Sequence, residues 1–326
     1  LHLCDRRQRQ MCIRDRCFIG GTMKNVLLFS FLFIIIPTII LFLLVVEPKE
    51  QNFKFSKNTM VRVYRTESKT IETIPLEEYV MGVVAGEMPV SFKEEALKAQ
   101  AVAARSYIMY KIKHNKKEDY DVVDTILNQV YIDDGALKKK WGTEYTANKE
   151  KIEKVVRDTA YQYITYNGEI ADALFFSTSS GYTENSQDVF SSEVHYLQSV
   201  KSDWDKISPV FSEQNEFTYD DFCKKLQLDT CNSINVEILE KTQSGRVNKL
   251  RVNNKDFTGS QFVKLLSLRS INFTITVDKT IIITTKGYGH GVGMSQYGAE
   301  GMARAGYTYD EIIKYYYTDV KIEKIK

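Results

Sequence analysis

The chain has 326 residues, 43% of them hydrophobic, and a formal net charge of +2, enough length to bury the core of one large domain or two ordinary ones. The positive balance comes from residues 1–22: removing their five Arg and two Asp takes the net from +2 to −1, so basicity gives no case for nucleic-acid binding. Beyond residue 22 three His and two Cys remain, with no H-x-x-x-H pair, no Cys/His cluster and no G-x-S-x-G, which argues against a zinc enzyme and a nucleophile-elbow hydrolase.

Residues 1–22 show neither helical nor strand periodicity and precede Met23, Lys24 and an apolar run. They read as a non-native leader, with a basic cytoplasmic tail as the alternative, and are set apart from the fold. Residues 26–46 are 21 uncharged residues, long enough for one transmembrane helix, with Pro37 tolerable inside it. A secretory signal peptide is the rival reading, but the core is long and Glu47-Pro48-Lys49-Glu50 follows where a small-residue cleavage site would stand. The anchor, taken as residues 23–46, retains Lys24 inside and puts residues 47–326 outside the cytoplasm. Residues 47–57 are a polar tether to a domain over 58–326.

Residues 60–64 and 69–74 predict a strand pair that ends at Pro75. Leu76, Tyr79, Val80, Val83 and Val84 then recur on one helical face. Gly86 and Pro89 stop that helix, and Ser91-Phe92-Lys93-Glu94 has the S-x-x-E pattern of a capping box for the next. Glu87 sits at the corner between the two, either as an exposed turn residue or as a poorly solvated carboxyl with a raised pKa, suited to a general acid. The second helix runs to about His114, and five Ala between 96 and 104 allow close packing. Arg105 within it is either a solvated flank residue or a buried guanidinium aimed at a partner.

Residues 121–131 suit a loop running into a short helix or strand, and 144–160 a charged amphipathic helix. A hairpin over 163–166 and 170–176 turns on Asn167-Gly168 and leads into the hydroxyl-rich loop 177–185. Residues 203–275 read as a second, smaller lobe, with a hairpin from 235–240 to 247–252 and two short helices. Cys223 and Cys231 within it are a local disulfide or two free thiols. A strand over 280–285 leads to Gly287-Tyr288-Gly289-His290-Gly291-Val292-Gly293, where alternate glycines let the backbone approach a ligand or another strand. Thr308 caps the last helix. Together these elements predict an α+β protein: one transmembrane helix and a mixed α/β extracytoplasmic domain with a smaller α+β lobe; the active-site cleft lined by loops is what the resemblance given below implies.

A carboxylate acid–base enzyme acting on an extracellular polysaccharide is the class that survives. Leu76-Glu77-Glu78-Tyr79-Val80, Gly82 to Pro89 with Glu87-Met88-Pro89, and Ala96 to Tyr107 resemble the signature of the stage II sporulation protein D family, which includes the amidase enhancers. Asp124-Thr125, Gln129-Val130-Tyr131, Ser177-Thr178-Ser179, Thr183-Glu184-Asn185 and Gly289 to Ala299 are further similar motifs, in family order over roughly residues 60–318. The resemblance implies a lytic transglycosylase that cuts septal peptidoglycan during engulfment, held in the membrane by one helix and working with stage II sporulation proteins P and M. Glycan strands, stripped of stem peptides, would be its substrate. It implies Glu87 and Arg105 as catalytic residues and Gln129, Ser177, Thr178, Tyr182, His290, Gln296 and Tyr297 as the cleft. Some relatives have His or Cys where this chain has Phe176, Ser179 and Tyr182, so no metal and no other cofactor is expected here. Were the reaction a hydrolysis, Glu184 and Asp124 would be first candidates for the second carboxylate it needs.

Overall fold

In a computed structural model that describes residues 55–115, 118–190 and 192–325, the chain is built around one buried helix. The leader, the anchor expected over 26–46 and nearly all of the tether lie outside the described residues. Among the described residues no helix is long and apolar enough to cross a membrane.

Strands β1 (Met60–Arg65) and β2 (Thr70–Pro75) pair antiparallel with Val61 opposite Ile74, and β3 (Val122–Val123) joins β1 in parallel. The pair delivers the chain into α1 (Leu76–Glu87) and α2 (Glu94–His114). Every residue of α2 from Ala96 to Met109 is buried except Lys98. Ala96, Ala99, Ala101, Ala103 and Ala104 make this possible, because small side chains let neighbouring elements approach from several sides. Removing the larger side chain of the fully buried Leu97 would cost about 2–5 kcal/mol.

Two helices follow, α3 (Asp134–Trp141) and α4 (Tyr145–Asp158), the latter burying Ile152, Val155 and Val156. The hairpin of β4 (Gln162–Tyr166) and β5 (Glu169–Ile170) turns at Asn167 and Gly168, both at positive φ (51° and 84°). The strand expected to continue through 176 stops at Ile170. Residues Phe175–Phe176 form a separate strand, β6, before the short helix α5 (Ser186–Phe190).

A second hydrophobic core, including Phe222, Leu226, Leu250, Phe262 and Ile283, lies apart from the first. It is framed by β7 (Ser212–Phe217), α6 (Tyr219–Leu226), β8 (Val236–Lys241), β9 (Val247–Val252), β10 (Lys255–Thr258), α7 (Gly259–Leu266), β11 (Phe273–Val277) and β12 (Ile281–Lys286). These strands form two sheets, in the orders β10-β9-β8 and β11-β12-β7. Cys223 and Cys231 are joined in a disulfide under this core.

The chain returns to the first core through β13 (Met294–Ser295), which pairs in parallel with β6, then α8 (Gln296–Arg304), α9 (Tyr309–Tyr316) and β14 (Lys321–Lys324) beside β4. The architecture is mixed α+β. Helix α8 carries Gly298 and Gly301, poor helix formers, and so gave little helical signal. Gly298 is needed there because a Cβ would lie 2.0 Å from the Tyr316 hydroxyl. The capping box expected at Ser91 is also not formed. Helix α2 starts at Glu94, and the Lys93 N–H is taken by Glu300 Oε2 of α8 at 2.7 Å.

Candidate active site

Glu87 is the last residue of α1, at the corner between two helices, and half-buried, which decides against the exposed-turn alternative. Its carboxylate accepts the Val130 N–H on Oε1 at 2.7 Å and the Gln296 amide on Oε2 at 3.0 Å. Burial raises its pKa above the ordinary 4.5, partly offset by those two neutral donors. A helix C-terminus, with its partial negative charge, works in the same direction. The result is a carboxyl that holds its proton longer than a surface glutamate, with donors fixing its orientation.

Each donor arrives by an identifiable route. The Val130 loop lies directly on α1, since a Cβ on Gly86 would stand 2.4 Å from the Val130 carbonyl and one on Gly82 2.4 Å from the Tyr131 ring. Two glycines four residues apart thus make a flat strip on the helix for residues 130–132. Gln129 anchors the loop from behind. It is fully buried, accepts the Tyr79 hydroxyl at 3.0 Å and donates to the Ala104 carbonyl at 3.4 Å. The cleft-facing role expected for Gln129 is therefore corrected: its side chain points into the core, and its neighbour's N–H reaches Glu87.

Gln296 is placed by the pairing of β13 with β6. The Ser177 carbonyl accepts the Tyr297 N–H at 3.0 Å and the Ser295 hydroxyl at 3.3 Å, so Ser177 lies beside Gln296 and Tyr297. Tyr297 is half-buried with its ring edge-on to Phe92, the centroids 5.0 Å apart. Beneath them Asp205 is buried and takes hydrogen bonds from the Ser179 N–H and hydroxyl and from the hydroxyls of Ser202 and Ser295. Asp205 is a supporting residue that sequence reasoning missed. The signal was Ser179 within the hydroxyl-rich run, since a hydroxyl buried there needs an acceptor.

Four expected site residues take other roles. Arg105 does not share the Glu87 corner. Its guanidinium is fully buried in a two-pronged ion pair with Glu77 (2.8 and 2.7 Å) and donates to the Gln162 carbonyl at 2.9 Å. Glu77 is ten positions before Glu87, about 15 Å away along α1, so Arg105 braces the start of the helix. Thr178 is buried with its hydroxyl 2.9 Å from that of Ser208. Tyr182 is 47% exposed on a bridge to Lys201.

His290 serves its own loop. One ring nitrogen lies 3.0 Å from the Phe175 carbonyl and the other 3.1 Å from the Val292 N–H. Burial pushes its pKa down to about 4, so it is neutral at physiological pH. The alternate glycines around it accommodate protein backbone and side chains: a Cβ on Gly293 would stand 2.1 Å from the Leu174 carbonyl, and one on Gly291 2.3 Å from Arg246. At the three positions weighed for a metal, Phe176 packs on His290, Ser179 bonds to Asp205 and Tyr182 points outward. That set does not fit a metal. Asp124 is held by Arg65 at 3.0 Å and by Thr66, and Glu184 is buried against Arg246 at 3.0 Å, so both are engaged away from Glu87.

The motifs gathered around Glu87 match a family model described as "Stage II sporulation protein" over residues 64–166. Across a much longer stretch, the chain is 44% identical over 271 residues to stage II sporulation protein D of Bacillus subtilis, covering 81% of this chain and 79% of that protein. The chain belongs to the stage II sporulation protein D family. The Bacillus amyloliquefaciens protein of the same name is also 44% identical, over 270 residues. A Bacillus subtilis protein named amidase enhancer is 30% identical over an alignment of 292 residues that covers 72% of this chain and 39% of that protein. Within the family framework, residues 64–166 contribute Glu87 and the Val130 loop, while Gln296 comes from far outside that segment.

Proposed function

We propose that this sporulation-protein homologue is a lytic transglycosylase that cleaves the β-1,4 bond between N-acetylmuramic acid and N-acetylglucosamine in peptidoglycan during engulfment. The observation that carries the reading is Glu87 itself: a half-buried carboxyl of raised pKa, oriented by two neutral donors and with no cation bonded to it among the described residues. Protonated Glu87 donates to the bridging oxygen as the muramic acid C1–O bond breaks through an oxocarbenium-like state. The resulting carboxylate then takes the proton of the same sugar's C6 hydroxyl, whose oxygen closes on C1. The product is a 1,6-anhydro end and no water is consumed, so one carboxyl serves as acid and then base.

On this reading the chain is anchored by residues 23–46 with its catalytic domain outside the cytoplasm, and acts beside stage II sporulation proteins P and M on peptide-stripped strands. Glu87→Gln should abolish release of glycan fragments from purified peptidoglycan while leaving the circular dichroism spectrum unchanged. Full activity in the folded variant would remove Glu87 from the centre. The kinship with a protein named amidase enhancer favours one second reading, a glycan-binding module that stimulates an amidase. In that case Glu87→Gln would leave the stimulation intact.

A further inference from the structure

Among the described residues nothing in the second lobe bonds to Glu87, yet one side chain of that lobe grips the loop that leads to Gln296. Arg246, the residue before β9, is fully buried. Its Nη1 donates to the main-chain carbonyls of Gly289 and His290 at 3.2 and 3.1 Å. Its guanidinium also fills the space that a Cβ on Gly291 would need. The same hairpin turn holds Glu184, whose Oε1 accepts the Ser244 hydroxyl and lies 3.0 Å from Arg246 Nε. Glu184 in turn reaches the loop, its N–H donating to the Gly291 carbonyl at 2.8 Å.

The gripped loop has little shape of its own. Gly287, Gly289, Gly291 and Gly293 all stand at positive φ (80°, 106°, 87° and 80°), and a backbone so rich in glycine takes its path from what it touches. On the side away from Arg246 it meets the chain at β6: a Cβ on Gly289 would stand 3.1 Å from that of Phe176, and the His290 ring lies 3.0 Å from the Phe175 carbonyl. The loop is thus clamped between Arg246 and β6. Three residues past Gly293 it presents Gln296, whose amide donates to Glu87.

Stability alone does not account for Arg246. Its Nε and Nη2, and Glu184 Oε2, are buried without a hydrogen-bond partner among the described residues, so the 3.0 Å contact between Nε and Glu184 is an ion pair off the hydrogen-bonding angle. A buried ion pair so poorly satisfied adds little to stability. We infer that Arg246 is a positioning residue: its guanidinium fixes the Gly289–Gly293 loop against β6 and so sets Gln296 on Glu87, which makes the second lobe part of the catalytic unit. The inference rests on Glu87 being the reacting carboxyl.

The test reads Glu87 directly, by carbon NMR of its side-chain carboxyl across pH in the full-length protein, the signal assigned by its loss in Glu87→Gln. The Gln296 amide favours the ionised form, so losing that donor moves the Glu87 pKa up. Arg246→Met combined with Glu184→Gln removes both buried charges together and strands neither. In that protein the Glu87 pKa should rise to the value found in Gln296→Leu, and adding Gln296→Leu should raise it no further. Glycan release should fall about tenfold or more. Arg246→Lys keeps a cation against Glu184 but replaces a rigid fork by one flexible ammonium. It should move the Glu87 pKa the same way by less, and it carries the test if the paired variant does not fold. An unmoved Glu87 pKa, or a rise that adds to that of Gln296→Leu, overturns the inference. A shared rise in a protein whose wild type cuts no peptidoglycan upholds the role of Arg246 and refutes the catalytic reading instead.

Discussion

Glu87 titrates between two constraints, and their balance can be measured. Its folded pKa is raised above the ordinary 4.5. The stability it contributes is therefore full below about pH 4.5 and lost as pH rises through the raised value. A glutamine cannot titrate, so the melting temperature of Glu87→Gln relative to wild type should climb across that window and level off above it. A difference independent of pH would mean that the carboxyl is ordinarily solvated. Much at this scale was legible in sequence: Gly86, Met88 and Pro89 around one glutamate forecast the corner and a desolvating surround, while the net shift stayed open because a close Arg105 would have opposed it. The orienting donors were less so. Gln296 was expected in the cleft, but nothing near residue 130 said that a main-chain N–H, and no side chain, would hold the other oxygen.

At the scale of elements, α1 joins a structural end to a reactive end. Arg105 and Glu77 form the first, and replacing Arg105 by Leu leaves Glu77 facing an apolar wall, with a cost of about 3 kcal/mol. Thermal or urea unfolding should register that loss while turnover per folded molecule stays near wild type. A collapse of turnover with stability retained would restore Arg105 to the chemistry. The opposite result is expected of Gly86→Ala: with 2.4 Å to the Val130 carbonyl, the loop must shift, costing about 1–3 kcal/mol. Turnover should fall by more than stability explains, because Val130 N–H leaves Glu87. Helical periodicity revealed α1 and α2, and the alanines announced a buried helix. It could not say which face of α2 holds Arg105, since a helix buried on all sides has no polar face to fix its rotation. Nor did it reveal that glycines 82 and 86 accept a loop, because such contacts join residues far apart in sequence.

At the scale of the whole molecule, two hydrophobic cores form among the described residues, and the second carries the Cys223–Cys231 disulfide. Closing so short a loop is worth about 2–3 kcal/mol. The double replacement Cys223→Ser with Cys231→Ser should lower the melting of the second core, seen as a separate earlier transition, while Glu87 chemistry persists below it. The presence of a second lobe was readable from its own hairpin and helices. Its core runs on to Ile283, past the expected limit at 275, because β12 pairs with both β7 and β11 and completes their sheet. Chain order hid that closure.

The central claim, one glutamate acting as acid and then base, has a chemical signature that no hydrolase or binding module shares. Mass spectrometry of the strand ends released from purified peptidoglycan should find 1,6-anhydro-muramic acid, one water lighter than a reducing end, and none of it with Glu87→Gln. Reducing muramic acid ends from the wild-type protein, or anhydro ends from the variant, would contradict it.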